Sequence, residues 1–120
     1  MTWNLFIDDE RSLNDVTWAP WYVKEKYHNE KWVICRNKMQ VIQAIFDHDK
    51  NVPNFISFDH DLGENEPTGY DILKWVIEFD MDGIITMPQD FDFHVHSKNT
   101  IGKQNIEDYL DNYLDFKRGN

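Results

Sequence analysis

A single cysteine, Cys35, among 120 residues excludes a disulfide framework or a multi-cysteine metal site. It lies in the apolar run Trp32-Val33-Ile34-Cys35, where burial in a strand is the simplest expectation. Long hydrophobic stretches are also missing. None approaches the roughly 18 apolar residues that cross a bilayer, and the mean hydropathy of -0.68 argues against a membrane protein. The opening Met1-Thr2-Trp3-Asn4 has neither the basic flank nor the apolar core of a signal peptide, and Asp8 and Asp9 follow closely, so the expected location is cytoplasmic. Positive charge is scarce: 12 Lys and Arg face 22 Asp and Glu, for a formal charge of -10. That balance repels a nucleic acid backbone and disfavours extended duplex binding. With 5 Gly and 4 Pro there is no linker-like tract, and no repeat or low-complexity segment is present. One domain over residues 1–120 is expected.

What remains is 41% hydrophobic and 15% aromatic, the composition of a folded protein. Trp3-Asn4-Leu5-Phe6-Ile7 reads as a buried strand that emerges into Asp8-Asp9-Glu10. From Arg11 to Lys31 no clean period exists, and Trp18, Pro20, Trp21, Tyr22 and Val23 fit either a short helix or an aromatic-packed loop. Trp32 to Cys35 is a second strand. Asn37, with Gln40 three residues on, is an N-cap signature ahead of the helical face Val41, Ile42, Ile45 and Phe46. Asn51-Val52-Pro53-Asn54 breaks that helix, and Phe55-Ile56-Ser57-Phe58 forms a third strand ending in Asp59-His60-Asp61. Thr68 and Asp71 cap a helix that buries Ile72, Leu73, Val76 and Ile77 and stops at Asp82-Gly83. Residues 84–87 read as extended, Pro88 interrupts, and Phe91 to His96 alternates as a fourth strand. A last helix carries Ile106, Tyr109, Leu110, Tyr113 and Leu114. Strands alternating with helices imply right-handed parallel crossovers. The fold class is therefore α/β, a three-layer flavodoxin-like or receiver-like sandwich with a mostly parallel sheet of four main strands and no clear fifth.

Ligands of such sheets bind beyond the carboxyl ends of the strands, near the point where strand order reverses. Three polar clusters end three strands here: Asp8-Asp9, Asp59-His60-Asp61, and His96-Ser97 with Asn99. If the first and third strands are neighbours, four carboxylates, Asp8, Asp9, Asp59 and Asp61, converge, and a divalent cation is the natural counter-charge. Oxygen ligands of this kind suit Mg²⁺, and Mn²⁺ equally. Asp also opens turns for purely conformational reasons, so each of the four has a capping alternative. His94 and His96 share one face of a strand and, with His60, invite comparison with zinc sites, although no fourth nitrogen or sulfur ligand is evident. His96 fits better as a proton-transfer or hydrogen-bonding group, with His94 structural. Ser97 has no triad partners and reads as a phosphate-oxygen ligand. Thr100 to Lys103 starts the last helix, where free N–H groups favour an anion, and Arg11 and Lys103 are nearby cations. The aromatics between Trp18 and Tyr27 serve core packing or base stacking.

Leu5-Phe6-Ile7-Asp8-Asp9-Glu10-Arg11, Ile56-Ser57-Phe58-Asp59-His60-Asp61-Leu62-Gly63, Thr68-Gly69-Tyr70-Asp71 and Val95-His96-Ser97-Lys98-Asn99 together resemble the cyclic-phosphate processing receiver-like domains over nearly the whole chain. The resemblance implies a receiver-like fold reworked around an acidic pocket. By position it makes Asp8 and Asp9 the cation-binding pair, Asp59 the counterpart of the receiver phosphoacceptor, and Ser97 the hydroxyl residue after the fourth strand. It also implies action on cyclic phosphates, such as 2′,3′-cyclic phosphate ends of RNA. The chain departs from standard receivers in lacking a fifth strand to carry their lysine, and Lys98 and Lys103 are the only substitutes nearby.

Three functions follow. The first is a metal-dependent phosphoesterase: Asp8, Asp9, Asp59 and Asp61 hold Mg²⁺ or Mn²⁺, Asp59, His60 and His96 are catalytic, and Arg11, Ser97, Asn99, Thr100 and Lys103 bind a small nucleotide or RNA-end substrate. A phosphoryl-Asp59 intermediate is a variant of it. The second is a non-catalytic module that binds a phosphorylated nucleotide or a protein partner. The third is a conventional phosphoacceptor labelled at Asp59.

Overall fold

The central strands carry the most apolar sequence because both of their faces are covered. In the computed structural model, which describes residues 2–119, β1 (Asn4–Ile7) and β3 (Phe55–Phe58) are buried throughout. The edge strands β2 (Trp32–Cys35) and β4 (Asp92–Val95) are buried only in part. All pairings are parallel, in the order β2-β1-β3-β4. The helices are α1 (Trp21–Asn29), α2 (Lys38–Asp47), α3 (Gly69–Met81) and α4 (Thr100–Lys117), with a 3-10 turn at Leu13–Asp15.

Strand order explains the layers. The step from β1 to β2 runs one way and the steps to β3 and β4 run the other, so right-handed crossovers send α1 to one face and α2 and α3 to the opposite one. Alternate residues of β1 accordingly belong to different cores. Phe6 packs with Val16, Ala19, Val23, Tyr27 and Phe55 under α1, whereas Leu5 and Ile7 join Ile56, Phe58 and the inner residues of α2, α3 and α4. This is the three-layer receiver-like fold expected from the sequence, with four strands.

The caps also follow the sequence. The Asn37 side chain accepts from Gln40 N at 2.9 Å to start α2. Thr68 and Asp71 form a reciprocal capping box at α3, with bonds of 3.1 and 2.9 Å. The segment from Arg11 to Lys31, without a clear period, contains α1 because only Val23 and Tyr27, four residues apart, are buried in that helix. α2 ends at Asp47, before the expected break, where Asp49 and Lys50 take positive φ. Its third inward residue is Ala44, while Phe46 faces outward. Residues 84–87 add no strand to the sheet, since Thr86 forms only an isolated bridge to Asn51. Among the described residues no helix is long and apolar enough to cross a membrane.

Candidate functional site

Strand order reverses between β1 and β3, so their carboxyl ends flank the natural site of the fold. The ladder continues one residue past both strands: Asp8 N donates to Cys35 O at 3.1 Å and Asp59 N to Ile7 O at 2.9 Å. Two carboxylates are thereby fixed side by side, with Asp8 fully buried and Asp59 5% exposed. Asp8 Oδ1 accepts from the backbone N–H groups of Glu10 and Arg11 at 2.9 and 2.8 Å. Asp8 Oδ2 accepts from His96 Nε2 at 3.0 Å. Arg11 Nη1 lies 3.3 Å from Asp8 Oδ2 and 3.6 Å from Asp59 Oδ2, so two oxygens converge on one positively charged atom.

These contacts set the two acids apart. Burial pulls the pKa of Asp8 upward, but the bonds from His96, Arg11 and Glu10 hold it well below the usual carboxylate range. Asp59 is raised, first by burial and then by the charge of Asp8, against the lowering effect of the His60 N–H and the Ser97 hydroxyl. One carboxylate is thus firmly ionised while its neighbour resists ionisation, a state that a cation would relieve.

His96 is fully buried behind this pair, its ring stacked on Phe6 at 4.6 Å. Because ionised Asp8 only accepts, Nε2 carries a proton, and Nδ1 lies 2.7 Å from Ser57 Oγ. Ser57 in turn meets the Tyr27 hydroxyl. The chain Asp8, His96, Ser57, Tyr27 runs inward. His96, expected to exchange protons with substrate, is bonded to Asp8 and does not line the pocket above the pair. Nor do His60, His94 and His96 form an imidazole cluster. Among the described residues the one group of three or more such side chains whose ligand atoms all lie within 4.8 Å of one another is Asp8, Asp59 and His96.

Above the pair lies a pocket of about 330 Å³, lined by the acids Asp9, Glu10, Asp59 and Asp61, the cations Arg11 and Lys98, and Gly63, Ser97 and Asn99. Of the four carboxylates expected to converge, only Asp8 and Asp59 do so. Asp9 and Asp61 form the walls, and the side chain of Asp61 is 66% exposed. His60 turns toward α4: Nδ1 bonds to Asp61 Oδ1 at 2.9 Å, and the ring fills the space that a side chain at Gly102 would need. The Ser97 hydroxyl accepts from Asn99 N at 3.1 Å. The Asn99 amide is committed at both ends, with Oδ1 capping Gly102 N at 2.9 Å and Nδ2 on Asp61 Oδ2 at 3.1 Å. Thr100 and Lys103 do not line the pocket, and the charge of Lys103 is felt instead at His94.

Two pocket features escape a reading of spacing alone. Trp18 Nε1 donates to His96 O at 2.8 Å, which pins an aromatic ring from an irregular segment to the end of β4. Arg36 Nη1 donates to the carbonyls of Asp8 and Arg11 at 2.9 and 2.6 Å and braces the loop after β1. Both are long-range contacts without a local motif. The glycine of Thr68-Gly69 does have a local signature, because its N–H donates to His60 O at 2.7 Å and any Cβ there would overlap Asp59 O. A larger cavity of about 900 Å³ sits at the opposite pole, around Asn4, Trp32, Phe55 and Asp92, the first residues of the four strands. It contains none of the acidic cluster.

Fold and site together define a receiver-like α/β domain with its acidic centre where strand order reverses. The family model for the cyclic-phosphate processing receiver domain matches residues 3–112, and the chain belongs to that family. No curated protein and no solved structure matches it.

Proposed function

We propose that the chain is a metal-dependent phosphoesterase that opens a cyclic phosphate, either a 2′,3′-cyclic phosphate RNA end or a cyclic nucleotide. The carrying observation is the convergence of Asp8 Oδ2 and Asp59 Oδ2 on one cationic nitrogen of Arg11, at 3.3 and 3.6 Å, beneath an open pocket. Two carboxylate oxygens, completed by water and a phosphate oxygen, are a ligand set that Mg²⁺ or Mn²⁺ accepts. The residues present fit such an ion: Asp8 and Asp59 would hold it, and Asp9 lines the same pocket. When bound, the cation offsets the charge of the phosphodiester and acidifies water.

The protein's own groups do the rest. His96 and two backbone N–H groups keep Asp8 ionised and oriented. Arg11, which lines the pocket, would face phosphate oxygens. Ring opening adds one water: its oxygen bonds to phosphorus, one ester P–O bond breaks, and the leaving oxygen is protonated from solvent. The proton released by the water passes to Asp61, the pocket carboxylate backed by His60.

One observation favours a second reading, a domain that binds a phosphorylated nucleotide without turnover: among the described residues no imidazole lines the pocket. ³¹P NMR of a panel of 2′,3′- and 3′,5′-cyclic nucleotides with Mg²⁺ or Mn²⁺, beside Asp59→Asn, separates the two. A new phosphomonoester or linear-diester resonance that needs both metal and Asp59 supports hydrolysis. Unchanged spectra with measurable binding support the module.

A further inference from the structure

We propose that Arg11 and Lys98, both carried on the ring of Trp18, form the anion clamp of the pocket and receive the substrate's phosphate, with Trp18 as the positioning residue. The inference rests on the pocket proposed above and deepens it. In a chain of net charge -10 an approaching anion is repelled, so local cations decide whether it binds. Among the described residues only two cations line this pocket, Arg11 and Lys98. Both sit over one ring: the Arg11 guanidinium carbon is 5.1 Å from the Trp18 centroid and Lys98 Nζ is 4.2 Å away. The ring is itself immobilised, because its N–H is spent on His96 O at 2.8 Å, yet the residue stays 39% exposed.

Lys98 is the decisive member. Lys26, Lys74, Lys117 and Arg11 also lie over aromatic rings, and each has a carboxylate partner within 4.0 Å. Among the described residues Lys98 has no ion-pair partner, although four acids line the same pocket. Its ammonium is therefore held by a π face with its charge unspent, beside the Ser97 hydroxyl. A phosphate oxygen supplies the missing partner through a charge-assisted hydrogen bond. Arg11 would be released to the same anion if a bound cation neutralised Asp8 and Asp59.

The test titrates ¹⁵N-labelled protein, with and without Mg²⁺, with inorganic phosphate and with a 2′,3′-cyclic nucleotide, following the backbone amide resonances of Ser97 and Asn99, which every variant retains. Exposed Lys98→Gln is expected to raise both Kd values about tenfold. Trp18→Leu is expected to raise them about fivefold, and Trp18→Phe, which keeps a ring, to recover most of that loss. Lys74→Gln, which removes a cation from the Tyr70 ring outside the pocket lining, leaves them unchanged. Where turnover exists, the Lys98 and Trp18 variants raise KM and leave kcat within about twofold. Phosphate binding that depends on Lys98 in a protein without turnover overturns hydrolysis and keeps the clamp. Turnover with unchanged KM in Lys98→Gln overturns the clamp and keeps hydrolysis. Absence of phosphate binding by the unaltered protein, or equal Kd values in all variants, also overturns the clamp.

Discussion

Asp8 and Asp59 occupy equivalent places at the ends of adjacent strands, yet neutralising them has opposite consequences. Asp8 is held ionised by three donors, so Asp8→Asn removes a favourable charge and costs about 1–3 kcal/mol of stability. Asp59 is kept from ionising by burial and by Asp8, so Asp59→Asn relieves repulsion and leaves stability equal or higher. Both variants lose Mg²⁺ binding. Urea midpoints paired with a Mg²⁺ titration check this, and a destabilised Asp59→Asn would contradict the electrostatic assignment. Glycine supplies a second contrast at this scale. Gly69→Ala drives a methyl into the rigid carbonyl of Asp59, and shifting that backbone costs about 1–3 kcal/mol and weakens Mg²⁺ binding. Gly83→Ala, at φ 75° with nothing near its missing Cβ, lowers stability through backbone strain alone and leaves Mg²⁺ binding intact. Thermal melts with metal titration of the two variants separate packing from conformation.

Among the elements, those with strong local signals were legible in the sequence. α3 announces itself through Thr68, Asp71 and four inward apolar residues, and all of these appear in their expected places. Removing its cap by Thr68→Ala frees the Asp71 N–H from its partner and lowers stability by about 1 kcal/mol, measurable by urea denaturation. α1 was obscure because it buries only two residues and owes its place to Phe6 and Phe55 across the sheet. The helix face of α4 was misjudged at Tyr109, which is partly exposed and packs edge-on against Tyr70 of α3 instead of entering the core. The site divides in the same way. Asp8 and Asp59 follow from strand ends and topology, and the resemblance pointed to both. The burial of His96 depended on Ser57 and Tyr27, 39 residues from His96 and 30 from Ser57 respectively, which no spacing rule connects. Asp61 shares a short motif with Asp59, but its side chain leaves the cluster to pair with His60 and Asn99.

Across the whole molecule, acid affects stability in two separable windows. His94 of β4 is held down to about 4 from 6.5, chiefly by burial and then by the charges of Lys103 and His96. A base with a depressed pKa binds its proton first in the unfolded chain, so its contribution to stability falls as pH drops from 6.5 toward 4 and is constant below that. The lowered carboxylates Asp8, Asp61, Asp71 and Asp80 act later. Their unfolded forms take up protons near 3.8, so their contributions persist through the His94 window and are lost only in stronger acid. Protonation also relaxes the self-repulsion of a chain with net charge -10, which favours folding as pH falls and masks part of the loss. Comparison with His94→Gln removes that shared background, because the variant carries the same acids and the same other histidines and lacks only the ring at position 94. Urea midpoints between pH 7.5 and 4.5 are expected to fall more steeply for the unaltered protein than for His94→Gln, with the two curves parallel above pH 7. Parallel curves throughout would mean that His94 is solvated enough to accept its proton in the folded state.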